Sequence, residues 1–179
     1  MPGTLERAIR LREAGELEEA RAVLQKPLER NPEDPAVNYQ CAWVHDRMAR
    51  EREAITLYER AIERGLSGGD LEGAILSLGS SYRAVGNAAK AAEVLRGGVA
   101  RFPRNRAMRV FLAMVLHDLD EHDQAVGILL RNLAETSSEP EISACKDALF
   151  FYANRLNEPV AHGSRFPSRD RIQRQAPAP

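Results

Sequence analysis

Cysteine is scarce in this chain of 179 residues, in which only Cys41 and Cys145 occur. Two cysteines so far apart in the sequence do not make a disulfide framework, and neither has the closely spaced cysteine or histidine neighbours of a zinc cluster. Each one falls at an apolar position of a helical pattern, where a free thiol behaves as a small hydrophobic side chain. We therefore expect no metal or other cofactor, and we expect the protein to act in the cytoplasm.

An excess of charge is missing as well. The formal net charge is -1 at pH 7, so no general electrostatic attraction would draw the chain to nucleic acid. Long apolar runs are also absent: no stretch approaches the roughly 18 consecutive apolar residues of a membrane span, and the residues after Met1 are too polar for a secretory signal. The expected partners therefore include neither nucleic acid nor a membrane.

Motifs of catalysis are the third absence. The chain has no glycine-rich phosphate loop followed by Lys-Ser or Lys-Thr, and its serine, cysteine and histidine residues form no nucleophile motif. Only residues 117–123, His-Asp-Leu-Asp-Glu-His-Asp, resemble a metal site, because histidine and carboxylate side chains are common ligands. This segment lies at a predicted turn between two helices, where short polar side chains cap helix ends and face solvent. We prefer that interpretation, and we predict that the protein is not an enzyme.

What the chain does have is internal repetition, carried by small residues at fixed intervals. One set recurs after 34, 37 and 34 residues, at Ala20, Ala54, Ala91 and Ala125. A second set recurs after the same three intervals, at Ala8, Ala42, Gly79 and Ala113. The additional residues of the middle interval fall in the glycine-rich stretch 65–69, where a loop tolerates insertion. Agreement between the two sets predicts four repeats of one structural element.

Each repeat contains two apolar stripes of helical period joined by a short turn, a pattern that predicts an αα-hairpin. Small residues are needed where the two helices of a hairpin approach to about 8–10 Å, because a larger side chain there would force them apart. Asp34, Asn87 and Asn105 are predicted to cap the helices that follow them. The predicted helices are 3–14, 17–30, 35–48, 51–64, 70–85, 88–101, 105–119, 122–135 and 139–157.

The third repeat resembles the tetratricopeptide repeat. It carries, in that family's pattern, Leu78-Gly79, Tyr82, Gly86, Ala91, Leu95 and Pro103. The resemblance extends over about residues 4–157, and within it residues 65–119 resemble small stand-alone tetratricopeptide proteins of bacteria. It implies an all-α fold, a tetratricopeptide-like α-solenoid in which about four helix-turn-helix hairpins and a C-terminal capping helix form a right-handed superhelix.

The expected domain organisation combines this resemblance with the repeats. A tetratricopeptide-like domain would span residues 1–157, and a disordered tail rich in proline, arginine and glutamine would follow at 158–179. The first repeat departs from the family pattern at Pro27, where alanine is usual, and a proline inside a helix removes a hydrogen bond and kinks it. We therefore expect fraying in the first repeat. The expected segments are repeats at about 1–34, 35–68, 72–105 and 106–139, and a capping helix at 139–157.

The resemblance also implies a function and a site. In tetratricopeptide proteins the first helix of each hairpin lines a concave groove, and the protein is a non-catalytic scaffold that binds a peptide or helix of a partner protein there. Aromatic anchors supply much of the binding energy at such surfaces, so Trp43, the only tryptophan, is the leading candidate. The implied groove residues, with Gln40 beside them, are Tyr39, Trp43, Asp46, Arg47, Leu76, Ser80, Arg83, Val110, Phe111, Met114 and His117.

Three questions stay open at the level of the sequence. Trp43, Tyr39 and Phe111 would either anchor a partner or merely fill space between neighbouring hairpins. Asp46 and Arg83 occupy equivalent positions of adjacent repeats, and an ion pair between them is favoured over direct contact with a ligand. The alternative function is a structural homo-oligomer, such as a homodimer, that assembles through the same apolar face or through the C-terminal helix.

Overall fold

The computed structural model describes residues 2–158, and within that range the regular structure is entirely α-helical. The expected disordered tail at 158–179 lies, apart from Glu158, outside the described residues. Ten helices follow one another along the described range: α1 (Pro2–Glu13), α2 (Leu17–Arg30), α3 (Pro35–Arg47), α4 (Glu51–Glu63), α5 (Gly68–Ala84), α6 (Ala88–Arg101), α7 (Arg106–Asp118), α8 (His122–Thr136), α9 (Pro140–Ala144) and α10 (Lys146–Ala153).

Local capping chemistry sets several helix starts. Asp34 precedes α3, and its Oδ1 atom accepts hydrogen bonds from the backbone N–H groups of Ala36 at 2.9 Å and Val37 at 3.1 Å. These two bonds satisfy donors that would otherwise lack a partner in the first turn. Asn87 and Asn105 cap α6 and α7 in the same way, so all three predicted caps are confirmed.

The first eight helices begin and end within two residues of the predicted ranges. The prediction of one helix over 139–157 needs correction, because the chain forms two short helices that meet at Cys145, and the second of them ends at Ala153. α9 buries no residue, whereas α10 buries Ala153. Since short helices depend on packing for their stability, the weakly packed α9 does not continue into α10 as one helix.

The chain divides into two compact units, Met1–Phe111 and Leu112–Pro179, called below the N-terminal unit and the C-terminal unit. In the N-terminal unit each hairpin packs its own helices together, α1 on α2, α3 on α4 and α5 on α6. The hairpins also stack: α1 and α2 pack against α3 at the first junction, and α3 and α4 pack against α5 at the second junction. The first helices α1, α3 and α5 are therefore neighbours along one side of this unit.

The small residues of the two repeated sets are buried at all eight positions. Ala8 and Ala20 belong to one apolar cluster that the first hairpin shares with α3. At Gly79 a Cβ atom would lie 2.5 Å from Leu95 Cγ, so the leucine occupies the space that a larger residue would need. Close contact between the helices of a hairpin thus explains the repeated small residues.

The turn inside each hairpin repeats too. Gly15 and Gly86 have φ angles of 82° and 79°, and the equivalent positions of the second and fourth repeats hold Ala49 at 54° and Asp120 at 61°. The residue after each of these donates its backbone N–H to the carbonyl oxygen five residues earlier, at 2.9–3.0 Å. Because glycine adopts this left-handed conformation without strain, two repeats use the unstrained residue and two do not.

The first repeat is not frayed within the described residues. α2 continues through Pro27 to Arg30, and the Pro27 carbonyl accepts a hydrogen bond from Asn31 N at 3.0 Å. Because Pro27 lies in the last turn, the missing N–H affects only the end of the helix. Upstream of it, Ala20 and Leu24 are buried in the apolar cluster, which holds α2 in place.

In the C-terminal unit α8 packs against both α9 and α10. Gly127 allows a close approach, since a Cβ atom there would lie 2.5 Å from the carbonyl oxygen of Ala153. Arg131 Nη1 donates to that same oxygen at 3.2 Å and to Asn154 Oδ1 at 2.7 Å. The end of α10 is therefore fixed to the side of α8 that carries Gly127 and Arg131.

Candidate functional site

The predicted site residues of the second and third repeats lie on α3 and α5 of the N-terminal unit. On α3, Tyr39 is buried and Arg47 is exposed, while Trp43 and Asp46 are half-buried. Because α3 packs directly against α5, the structure brings these residues onto two neighbouring helices. The half-buried site residues of α5 are Leu76, Ser80 and Arg83.

Trp43 is held between two neighbours. The guanidinium carbon of Arg12 lies 3.4 Å from the centre of the Trp43 ring, which is a cation–π contact. The centre of the Tyr39 ring lies 5.7 Å from that of Trp43, with 38° between the ring planes. The indole keeps part of its surface exposed in an orientation that both contacts define, so it loses little conformational entropy when a partner binds.

Arg12 reaches this site from α1 and is 5% exposed. Its Nη1 atom donates to Gln40 Oε1 at 2.7 Å, and its Nη2 atom lies 3.6 Å from Glu13 Oε1. Burial lowers the pKa of Arg12, and the negative charge of Glu13 acts in the opposite direction. Arginine nevertheless stays protonated in proteins, so Arg12 supplies a buried positive charge beside Trp43.

Arg12 was missing from the predicted site, although the repeats identify it. A step of 34 residues back from Asp46 leads to Arg12, and the same step leads from Tyr39 and Trp43 to Leu5 and Ile9. The prediction used the second, third and fourth repeats and omitted the first. Applying the interval once more would have found this part of the site.

Asp46 is tied to α5. Its Oδ1 atom accepts a hydrogen bond from Ser81 Oγ at 3.2 Å. Burial raises the pKa of Asp46, and the hydrogen bond from Ser81 opposes that rise because it stabilises the carboxylate. The buried Tyr58 hydroxyl acts on the pKa of Asp46 in the same direction as Ser81. The ion pair between Asp46 and Arg83 stays a prediction.

The remaining predicted residues fall in both units. Val110 and Phe111 close the N-terminal unit and are half-buried, whereas Met114 and His117 belong to the C-terminal unit and are exposed. Their membership of one common site stays a prediction.

The turn after α7 places two imidazoles together. The rings of His117 and His122 have centres 4.7 Å apart, and His122 Nε2 lies 3.5 Å from Asp120 Oδ1. All three side chains are exposed. Across residues 2–158, no three side chains of histidine, cysteine, aspartate or glutamate are arranged to hold a metal ion.

The buried cysteine is chemically quiet. Burial raises the pKa of the Cys41 thiol to about 12, so it remains protonated near neutral pH and is not an activated nucleophile.

Hydropathy adds one further observation: no helix in the described part of the chain has the length and apolar character needed to cross a membrane.

Comparison with known proteins gives matches at the level of family and fold. The fold resembles that of MamA with a TM-score of 0.63 at 15% identity, over 84% of this chain and 94% of MamA. It resembles YrrB, described as a TPR protein with an unusual peptide-binding site, with a TM-score of 0.62 at 20% identity, over 89% of this chain and 87% of YrrB. For pilF of Pseudomonas aeruginosa the TM-score is 0.65 at 16% identity, over 92% and 77% of the two chains. A search of curated protein sequences found no match.

Two family models match the sequence. One, described as tetratrico peptide repeat, covers residues 35–143, and the other, described as tetratricopeptide repeat, covers residues 1–26. Proteins of this family are in general non-catalytic scaffolds for protein interaction, and their fold is an all-α solenoid of helical hairpins. Since the first match spans more than half of the chain, the protein belongs to the tetratricopeptide repeat family.

Proposed function

We propose that this protein is a non-catalytic adaptor that binds a peptide or helix of a partner protein along the first helices of its N-terminal unit. The observation that carries the proposal is Trp43, which stays partly exposed while Arg12 and Tyr39 fix its orientation. Family membership supports a scaffold in general, and YrrB, a protein of similar fold, has a peptide-binding site.

The chemistry of this face suits an amphipathic segment. Trp43 and Leu76 offer apolar surface, and the exposed Arg47 offers a positive charge next to them. A segment with apolar residues on one side and a carboxylate beside them would contact both kinds of group. We propose that within the N-terminal unit the site extends to Ser80, Arg83, Val110 and Phe111.

We also propose the cytoplasm as the compartment. Cys41 and Cys145 are both free thiols, and Cys145 is exposed. An exposed free thiol persists best where the surroundings are reducing.

Matched charge reversals test the binding face. Arg47→Glu changes an exposed residue of the proposed site, and Arg52→Glu makes the same change at an exposed position of α4. An affinity purification with the wild-type chain should capture a partner that Arg52→Glu retains, and Arg47→Glu should weaken that capture about tenfold or more. Equal retention by the two variants, with unchanged thermal unfolding, would contradict the proposed face.

A second candidate, assembly of two copies, is favoured by a separate observation. Val126, Leu129 and Leu133 on α8 are 44%, 43% and 42% exposed. The equivalent positions in α4 and α6 hold half-buried or buried residues, with Tyr58 and Leu95, both equivalent to Leu129, at 0% exposure. α8 thus carries a stacking face that the described residues cover only in part.

Two features of the chain favour a symmetric dimer through this stacking face of Val126, Leu129 and Leu133. The stacking face has no charge, so two identical copies can meet there without repulsion. α1 offers exposed Arg7 and Arg10 and is therefore a poor head-to-tail partner for apolar residues. Light scattering across concentrations should show a dimer that Leu129→Glu dissociates and the control Gln124→Glu preserves; a wild-type monomer at every concentration would exclude this candidate.

A further inference from the structure

A cavity of about 600 Å³ opens in the N-terminal unit where α1, the end of α2 and the start of α3 meet. Leu5, Ile9, Pro27 and Val37 form apolar parts of its wall. The charged residues of the lining are two carboxylates, Glu6 and Asp34, and one guanidinium, Arg30. This volume lies within the range of pockets that bind small molecules or large side chains. None of the residues assigned to the proposed binding face lines the cavity.

The second junction shows what such a space can hold. By the repeat intervals of 34 and 37 residues, Leu5 and Ala36 at the cavity correspond to Tyr39 and Gly73. Tyr39 is buried and its ring reaches from α3 to α5, so closely that a Cβ atom on residue 73 would lie 2.6 Å from the hydroxyl oxygen. At the first junction a leucine replaces the ring and an alanine replaces the glycine. The cavity is therefore the space that a phenol ring fills one repeat further along.

Pro27 gives a physical reason why the first junction stays open. Its equivalents in the next two repeats are Ala61 and Gly98, which are both buried. Small residues at this position allow the following helix to approach closely, whereas the half-buried proline ring occupies more space there. Within the described part of the chain, no side chain fills the space beside Leu5.

The charged side chains of the cavity lining favour some aromatic ligands over others. A phenol hydroxyl can donate a hydrogen bond to the Glu6 carboxylate. A carboxylate ligand would meet the two carboxylates of Glu6 and Asp34 against the one guanidinium of Arg30, so its charge is disfavoured. At the second junction burial raises the pKa of Tyr39, the charge of Asp70 acts in the same direction and the charge of Arg12 opposes it, so the phenol stays neutral. A neutral phenol is thus compatible with both positions.

We propose that this cavity binds a tyrosine side chain, or another phenol-sized aromatic group, of the partner segment. The inference rests on the proposed function in that the ring belongs to a partner lying along α1, α3 and α5. It adds a second anchor at the first junction to the one that Trp43 supplies.

Titration with p-cresol, the side chain of tyrosine as a free molecule, tests the cavity without any partner. Methyl NMR of the full chain should show saturable shifts for Leu5, Ile9 and Val37, with a dissociation constant in the millimolar range expected of so small a ligand. The methyl groups of Val94, on α6 and outside the cavity lining, should not respond. 4-Methylbenzoate, which replaces the hydroxyl by a carboxylate, should bind about tenfold more weakly.

Two variants complete the test. The double substitution Leu5→Tyr with Ala36→Gly copies the second junction and should abolish the p-cresol shifts. Glu6→Gln alters an exposed side chain, so the fold is retained, and it should reduce the preference for p-cresol over 4-methylbenzoate. Equal shifts at Val94 and Leu5, or an unchanged preference in Glu6→Gln, would overturn the proposal. Because no partner is present, these results are independent of the partner capture that tests the proposed function.

Discussion

The first and second junctions of the N-terminal unit share one repeat register but differ in how they are filled. At the second junction Tyr39 is buried and meets Gly73. At the first junction the equivalent residues are Leu5 and Ala36, and a cavity of about 600 Å³ remains. Backbone stacking and pocket formation are therefore separable. The repeated small residues position the helices, whereas side-chain size at three positions, which hold Leu5, Pro27 and Ala36 at the first junction, decides whether a junction is closed or open.

The largest effect should come from making the second junction resemble the first. Tyr39→Leu removes a buried ring and leaves its space empty, which should lower the free energy of unfolding by about 2–4 kcal/mol. Denaturant unfolding measures the change. The variant should also acquire a second site for p-cresol, and a loss of stability below about 1 kcal/mol would show that Tyr39 does not fill the junction tightly.

Substitution of two adjacent glycines of α6 by alanine should change the stability in opposite directions. A Cβ atom on Gly98 would lie 2.6 Å from Ile75 Cγ2 and 2.8 Å from Met108 Sδ, whereas one on Gly97 would meet nothing within 4 Å. Gly98→Ala should therefore destabilise the protein by about 1–3 kcal/mol. Gly97→Ala should stabilise it by about 0.5–1 kcal/mol because alanine is the better helix former. Thermal unfolding of both variants measures the two changes. Equal shifts of the melting temperature would contradict the close packing described around Gly98.

Two substitutions in the hairpin turns should have smaller effects on stability, of opposite sign. Gly86 and Ala49 occupy equivalent positions with positive φ angles of 79° and 54°. Gly86→Ala should cost about 1 kcal/mol, and Ala49→Gly should recover a similar amount, because only glycine is unstrained in this conformation. Denaturant midpoints of the two variants should move in opposite directions; movement in the same direction would mean that the turns are not equivalent.

The smallest effect concerns pH. Burial lowers the pKa of His45 below its ordinary value of 6.5, and its Nδ1 atom has no hydrogen-bond partner among the described residues. The folded state therefore resists protonation, so the stability from neutral His45 is present above pH 6.5 and is lost as the pH falls through 6.5 toward the folded-state pKa.

His45→Leu places the residue found at the equivalent positions Leu11 and Leu116. Between about pH 7.5 and pH 5.5, the wild-type chain should lose stability relative to this variant. Urea unfolding at both values measures the difference, and parallel pH profiles would show that His45 is not buried in its neutral form.

Much of the fold was predictable because the repeats depend on local features of the sequence, namely small residues at fixed intervals and helix caps. The intervals between small residues, together with caps such as Asp34, located eight helices to within two residues. The break at Cys145 was not predictable from the apolar spacing of 139–157, because it depends on α10 packing against α8 while α9 packs little. Apolar spacing identifies the apolar face of a helix, but it does not show which segments pack against another helix.

The site was predictable only in part. Trp43 and its neighbours follow from position in the repeat, but the stacking of Arg12 on Trp43 joins residues of two hairpins and needs the distance between them. The cavity likewise depends on the combined sizes of Leu5, Pro27 and Ala36, each of which is unremarkable alone.

Site-specific photo-crosslinking in living cells tests the central claim, a partner-binding face on α1, α3 and α5, most directly. A benzophenone amino acid at position 47, beside Trp43, should form a covalent adduct with another protein, and the same group at position 52 on α4 should not. An adduct from position 52 alone, or none from position 47, would contradict the account. A product containing only this chain at position 47 would instead place a second copy on that face.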